Sequence, residues 1–155
     1  MMTTRQSWSG LLLSISLMLS AVLTGCGPSS TASDPLVGTF TMSGRHGEQP
    51  LLKVEKGEGG YVLYEYSKGE WRRPKRPLMA GGNHEPLQVT RFTKADLEHE
   101  VHHTVDVEVA GVRAGAVALV KVPAGWSDGG RDKQFVTQSG YFALTLLGPV
   151  ELHRQ

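Results

Sequence analysis

The sequence predicts a mainly β protein, an antiparallel β sandwich or small barrel with one short inserted helix. Three observations lead there. From residue 36 onward the apolar residues come in short stretches in which alternate positions are apolar, the two-residue period of a strand with one buried face. Glycine, present 19 times in 155 residues, separates these stretches as turns do. Only one segment departs from the pattern, and it opens with a helix-capping signature.

Taken in order, Val37-Gly38-Thr39-Phe40-Thr41-Met42 is the first expected strand. Leu51-Leu52-Lys53-Val54-Glu55 and Tyr61-Val62-Leu63-Tyr64-Glu65-Tyr66 follow. Between them lies Lys56-Gly57-Glu58-Gly59-Gly60, whose glycines permit positive φ, so the two form an antiparallel hairpin. A further short strand is expected at 87–92. Thr93-Lys94-Ala95-Asp96 then has capping-box spacing, and Leu97 and Val101 keep helical spacing, which predicts a short helix. In 104–109, Val105, Val107 and Val109 alternate with Asp106 and Glu108, predicting a strand with its valines buried. A turn at Arg113-Ala114-Gly115 leads to residues 116–122, a central strand covered on both faces. Residues 123–133 read as a long loop carrying Trp126. Strands at 135–137 and 141–147 finish the chain, and the strength of the last one makes the final twenty residues necessary for closing the fold.

The amino-terminal residues follow a different rule. Arg5 precedes an apolar run from Leu11 to Leu23, broken only by Ser14, Ser16 and Ser20. A bilayer core needs ~20 apolar residues, so this run is a secretory segment and not a span. It ends in Leu23-Thr24-Gly25-Cys26, and Cys26 is the single cysteine of the chain. The ending resembles the lipobox of bacterial lipoproteins. That resemblance implies a signal peptide at 1–25, lipidation of Cys26, and attachment to a lipid bilayer through acyl chains, in which each buried methylene contributes ~0.8 kcal/mol. Enteric members with Asp after the cysteine stay at the inner membrane; Gly27 here implies the outer membrane, facing the periplasm. Residues 26–35 are small and polar, as a flexible tether would be, and 36–155 make a single β-rich domain.

Residues 1–25 contain one Arg and no Asp or Glu, so from Cys26 onward the 15 acidic residues are balanced by as many Lys and Arg. A neutral body has no global attraction for nucleic acid. Locally, Lys68-Gly69-Glu70-Trp71-Arg72-Arg73-Pro74-Lys75-Arg76-Pro77 gathers cations around a tryptophan in a proline-stiffened loop. Trp and Arg are enriched among binding hot spots, which makes Trp71, Arg72, Arg73, Lys75 and Arg76 candidate partner contacts, with Trp126 in its own loop as another.

One motif suggests chemistry. His99-Glu100-Val101-His102-His103 resembles the His-Glu-x-x-His signature of zinc metalloproteases, which implies zinc held by His99 and His103 with Glu100 as general base. No third ligand follows at the family's spacing, and residues 104–107 read as strand. The preferred reading is therefore a solvated helix face without a metal or other cofactor, with His99 and His103, joined by His102, as the candidate ligands of a structural or adventitious metal. With no Gly-x-Ser-x-Gly elbow and no P-loop, a non-enzymatic protein with a protein partner in the envelope is expected. In size, anchor and architecture the chain resembles small β-rich lipoproteins that inhibit hydrolases or confer immunity to antibacterial effectors, which implies a protruding loop that plugs a target's cleft. An alternative resemblance is to lipocalins: Leu36-Val37-Gly38-Thr39-Phe40 is similar to their Gly-x-Trp opening, with Phe for Trp. It implies a carrier or sensor of a small apolar ligand bound in the mouth of a barrel.

Overall fold

The computed structural model describes residues 33–75, 85–129 and 134–155. The protein is mainly β, a single antiparallel sheet of nine strands curled into a half-barrel, with one short helix. The strands are β1 (Gly38–Gly44), β2 (Gly47–Gly57), β3 (Gly60–Ser67), β4 (Glu70–Arg72), β5 (Thr90–Phe92), β6 (Ala110–Ala114), β7 (Val117–Lys121), β8 (Tyr141–Thr145) and β9 (Gly148–Arg154); helix α1 is Lys94–Val101. Their order across the sheet is β4-β3-β2-β1-β9-β8-β7-β6-β5. Two meanders, β1 to β4 and β5 to β9, thus meet where the first strand pairs with the last.

That seam is short. Phe40 faces Arg154 and Thr41 faces His153 in register, and the final residues extend it: the Gln155 N–H donates to Thr39 O at 2.9 Å and the Arg154 guanidinium to Val37 O at 2.8 Å. The concave side of the sheet holds one core, built from Phe40, Leu52, Val54, Leu63, Val112, Leu119 and Leu152 among others. On the other side of β7 and β8, Ala118, Val120 and Phe142 form a second core with Leu97 of α1 and with Val105 and Val122. Strand β7 is therefore covered on both faces, as its continuous apolar run predicts.

Several expected elements are confirmed. The β2–β3 hairpin closes through Gly57 opposite Gly60. Helix α1 begins with its capping box: the Thr93 N–H donates to Asp96 Oδ2 at 2.7 Å, and the Asp96 N–H donates to Thr93 Oγ1 at 3.3 Å. It stops after Val101 because His102 turns left-handed, at φ 60°.

Others are corrected. Residues 104–109 are not a strand. Their alternation of burial is present, with Val105 inside and Asp106 out, but β5 already occupies the free edge of β6, so no ladder is left for them. The Val105 N–H instead donates to the Glu98 carboxylate at 3.0 Å. Residues 135–137 contribute only an isolated bridge, Val136 to Ser127, and the strand expected at 87–92 shrinks to Thr90–Phe92. The turn expected at 113–115 falls one residue later, at Gly115 and Ala116, leaving Arg113 and Ala114 in β6.

The largest correction concerns 141–147. Strand β8 ends at Thr145; Leu146 and Leu147 form a two-residue turn, and the chain returns as β9. The sequence hides β9 behind Pro149 and its charged neighbours, although Leu152 is fully buried at its centre. Proline is tolerated there because it sits at the start of the strand.

Candidate functional site

Four turns lie at one end of the sheet, fixed there by the registers: Arg45-His46 between β1 and β2, Lys68-Gly69 between β3 and β4, Gly115-Ala116 between β6 and β7, and Leu146-Leu147 between β8 and β9. At the opposite end the chain enters the sheet through Asp34. This residue is firmly held: Oδ2 accepts from the Tyr61 hydroxyl at 2.7 Å and lies 3.1 Å from Lys56 Nζ, and Oδ1 accepts from the Leu36 N–H at 3.1 Å. Burial acts to raise its pKa, but these bonds outweigh it and hold the carboxyl below the usual aspartate range. The ordered body thus begins ahead of Leu36. Cys26 and the rest of residues 1–32 lie outside the described residues, as does Arg76.

Leu146 is 88 % exposed and Leu147 is 100 % exposed. Two-residue hairpins favour Asn, Asp and Gly at their tips, and here the positive φ falls on Gly148, at 111°, and on neither leucine. The Thr145 hydroxyl donates to Gly148 O at 2.9 Å and accepts from the Leu147 N–H at 3.2 Å, so the turn is tied down from within. Neither local conformation nor burial calls for two leucines at this position. Isolated exposed leucines are ordinary; an adjacent exposed pair at a hairpin tip is a candidate contact surface.

Beside the tip, on the outer face of the sheet, is an open groove of about 500 Å³. Leu97, Val101, Trp126, Phe135, Leu144 and Leu146 line it, with Glu100, Arg113 and Asp128 as its charged groups. Its volume and lining match those of binding clefts: apolar and aromatic walls with few polar groups. Trp126 lies flat on Phe142, and Phe135 meets the same ring edge-on at 5.2 Å. Arg113 holds Glu100 at 2.6 Å and sits over the Phe92 ring at 4.8 Å.

The residues singled out from sequence are distributed unequally around this site. Trp126 belongs to it, as a wall of the groove. Trp71 does not: it is on β4, an edge strand and not a loop, opposite Tyr66, with ring centroids 5.0 Å apart and Lys53 Nζ 5.6 Å from its own ring. Strands β4 and β8 are five positions apart along the sheet, so the two tryptophans do not make one patch. Arg72 is exposed and pairs with Glu70 at 2.9 Å, while Arg73 and Lys75 are exposed beyond it. Leu146 and Leu147 were missed because their apolar character reads as the end of a strand; the signal available was Gly148-Pro149, a turn-and-restart dipeptide.

The histidines do not form a zinc-protease constellation. Since α1 ends before His102, His99 and His103 do not share a helical face. His103 Nδ1 lies 2.8 Å from Thr104 O, and Nε2 faces Asp128 O. Both ring nitrogens thus face backbone carbonyl oxygens, and neither is turned toward His99 to share a metal ion. The same two bonds raise its pKa. Glu100 is engaged by Arg113, and among the described residues no three His, Cys, Asp or Glu side chains converge to hold a metal ion. Ser43 and His153 approach at 3.5 Å on an exposed face, but the nearby Glu48 carboxylate is bonded to Thr41 and Gln155 instead of orienting the imidazole.

The interior of the half-barrel is filled by side chains. Phe40, Leu52, Leu63, Val112, Leu119 and Leu152 occupy the concave side, none more than 1 % exposed. No family model, no curated protein and no solved structure matches the chain.

Proposed function

We propose that this chain is a lipid-tethered binding protein of the outer membrane, of the inhibitor or immunity type, which seizes a secreted protein with its Leu146-Leu147 tip and the groove beside it. The observation that carries the reading is the placement of an apolar knob and an apolar groove together at the end of the sheet opposite Asp34. A tether from Cys26 joins the body at the Asp34 end of the sheet, and the tip is at the other end. That geometry suits a soluble target better than lipid. A rigid hairpin with two leading leucines is the kind of element that fills a cleft, because its backbone is already ordered and binding costs little further conformational entropy. Trp126, in the groove wall, supplies the aromatic anchor typical of binding hot spots.

The test is capture from envelope and secreted extracts by the full chain carrying Cys26→Ser. One protein is recovered saturably, and its recovery falls at least tenfold with Leu147→Asp and is retained with Trp71→Ala. Capture indifferent to Leu147→Asp, or recovery of small apolar molecules in place of a protein, removes this reading and favours the carrier.

A further inference from the structure

A second cleft, of about 360 Å³, opens at the Asp34 end of the sheet. Pro35, Leu36, Val109 and Ala110 are apolar parts of its wall, and its charged members are Arg91, Lys94 and Asp34. Arg91 stands opposite Val112 in the β5–β6 ladder, on the face of the sheet that carries the concave core, and is nonetheless exposed. Among the described residues it makes no hydrogen bond or ion pair. The bond to Asp34 raises the pKa of Tyr61, and the charges of Lys56 and Arg91 act against that rise, so both cations lie within electrostatic reach of the phenol. Lys94 approaches Glu98 only to 4.0 Å, and the same carboxylate oxygen already accepts from the Val105 N–H. Asp34 is satisfied by Lys56, Tyr61 and the Leu36 N–H. The cleft therefore presents two cations and one carboxylate that is already neutralised.

What this charge faces follows from where the chain leads. Asp34, Pro35 and Leu36 line the cleft, and eight residue steps lead back from Asp34 to Cys26, a reach of at most about 29 Å even fully extended. With acyl chains on Cys26, the cleft meets lipid headgroups at high effective concentration, so weak contacts suffice. We infer that it seats the phosphate of an anionic phospholipid of the bilayer between the Arg91 guanidinium and the Lys94 ammonium. The fork of arginine N–H donors matches phosphate oxygens, and each cation near an anionic surface strengthens attachment about fivefold. The apolar wall at Pro35, Val109 and Ala110 suits the glycerol end of the same lipid. The inference rests on Cys26 as the lipid anchor and deepens the proposed function. Headgroup contact sets the Asp34 end down on the bilayer and turns the Leu146-Leu147 tip outward, which a tether alone does not do.

The experiment is co-sedimentation of the full chain carrying Cys26→Ser with vesicles of phosphatidylglycerol, compared with vesicles of phosphatidylcholine. The apolar run from Leu11 to Leu23 is common to every chain compared and cancels. Binding to phosphatidylglycerol exceeds binding to phosphatidylcholine several-fold, and adding Arg91→Glu with Lys94→Glu lowers that excess about tenfold. Arg91→Gln with Lys94→Gln, a milder change at two exposed positions, lowers it by a smaller factor in the same direction. Arg72→Glu with Arg73→Glu alters the net charge equally, on and just beyond β4, and leaves the excess in place. Equal losses from the two charge reversals, or no preference for phosphatidylglycerol, overturn the headgroup site. Inorganic phosphate that strips the chain from the vesicles, where sodium chloride of equal ionic strength does not, assigns the cleft to a free anion and overturns the bilayer as its source. Target capture and the anchor are read separately. A chain that prefers phosphatidylglycerol yet captures no protein loses only the target, and one found without lipid on Cys26 loses only the anchor.

Discussion

Trp126 lies on Phe142 with ring centroids 5.6 Å apart and planes 6° from parallel, which makes the loop bearing the tryptophan a fixed wall of the groove and not a free arm. The loop is further stitched down by Gly125 N–H to Thr137 O at 2.7 Å and Thr137 N–H to Trp126 O at 3.0 Å. Truncation of a fully buried tryptophan costs ~3–5 kcal/mol. For the half-buried Trp126, Trp126→Ala is expected to cost about 2 kcal/mol in urea unfolding. Trp71→Ala, which loses mainly one edge-on contact with Tyr66, should cost about 1 kcal/mol.

Strand β9 closes the sheet, because it pairs with β8 on one side and carries the seam to β1 of the other meander on the other. A chain ending at Leu147 loses that strand, including the fully buried Leu152, and is expected to show no cooperative thermal transition. Removal of Gln155 alone takes away one backbone bond to Thr39 and side-chain bonds to Thr41 and Glu48. It should cost only about 1 kcal/mol. Cooperative melting of the longer truncation would show that the two meanders hold together without their seam.

Glu65 lies on the inner face, opposite Leu52 in the ladder, and burial raises its pKa. Its cross-strand neighbour Arg72 bonds Glu70 instead. A carboxyl whose pKa is raised on folding binds its proton more tightly in the folded state, so its ionised form opposes folding above that raised value. Glu65→Gln is therefore expected to raise the Tm at pH 7. The gain should vanish below about pH 4, where glutamate is protonated in both states. A lower Tm for the glutamine variant at pH 7 contradicts this.

His103 carries the opposite sign. Its bonds to the carbonyls of Asp128 and Thr104 raise its pKa, so the stability it provides is complete below the unfolded value of about 6.5 and is lost as pH climbs through the folded one. An NMR titration should place the midpoint of His103 above 6.5, and the Tm values of the wild-type chain and His103→Ala should converge on the alkaline side. A midpoint at or below 6.5 means that the clasp between α1 and the Trp126 loop does not form.

Much of the fold is legible in the sequence, because β2, β3, β7 and α1 each carry a local signal that agrees with their packing. The capping box at Thr93 and Asp96 and the apolar run through Val120 needed no tertiary information. Residues 104–109 misled because alternation reports which side chains are buried and not whether a neighbouring strand is free to pair; Glu98 took the hydrogen bond that a strand would have made. The site was less legible. Trp126 was recognised as a binding type, but its role as a groove wall depends on Phe142, sixteen positions on in sequence and across a loop. Leu146 and Leu147 carried the misleading signal of greasy residues that read as core, whereas the turn is set by Gly148 and by the hydroxyl of Thr145.

A photo-activatable amino acid placed at position 147 of the full, membrane-attached chain tests most directly whether the tip contacts a protein. Illumination of cells should give a discrete adduct with a polypeptide other than this chain, lost when Leu146→Asp is added and absent when the probe is moved to position 56. Adducts with lipid alone, or the same protein adducts from positions 147 and 56, would contradict a target-binding tip.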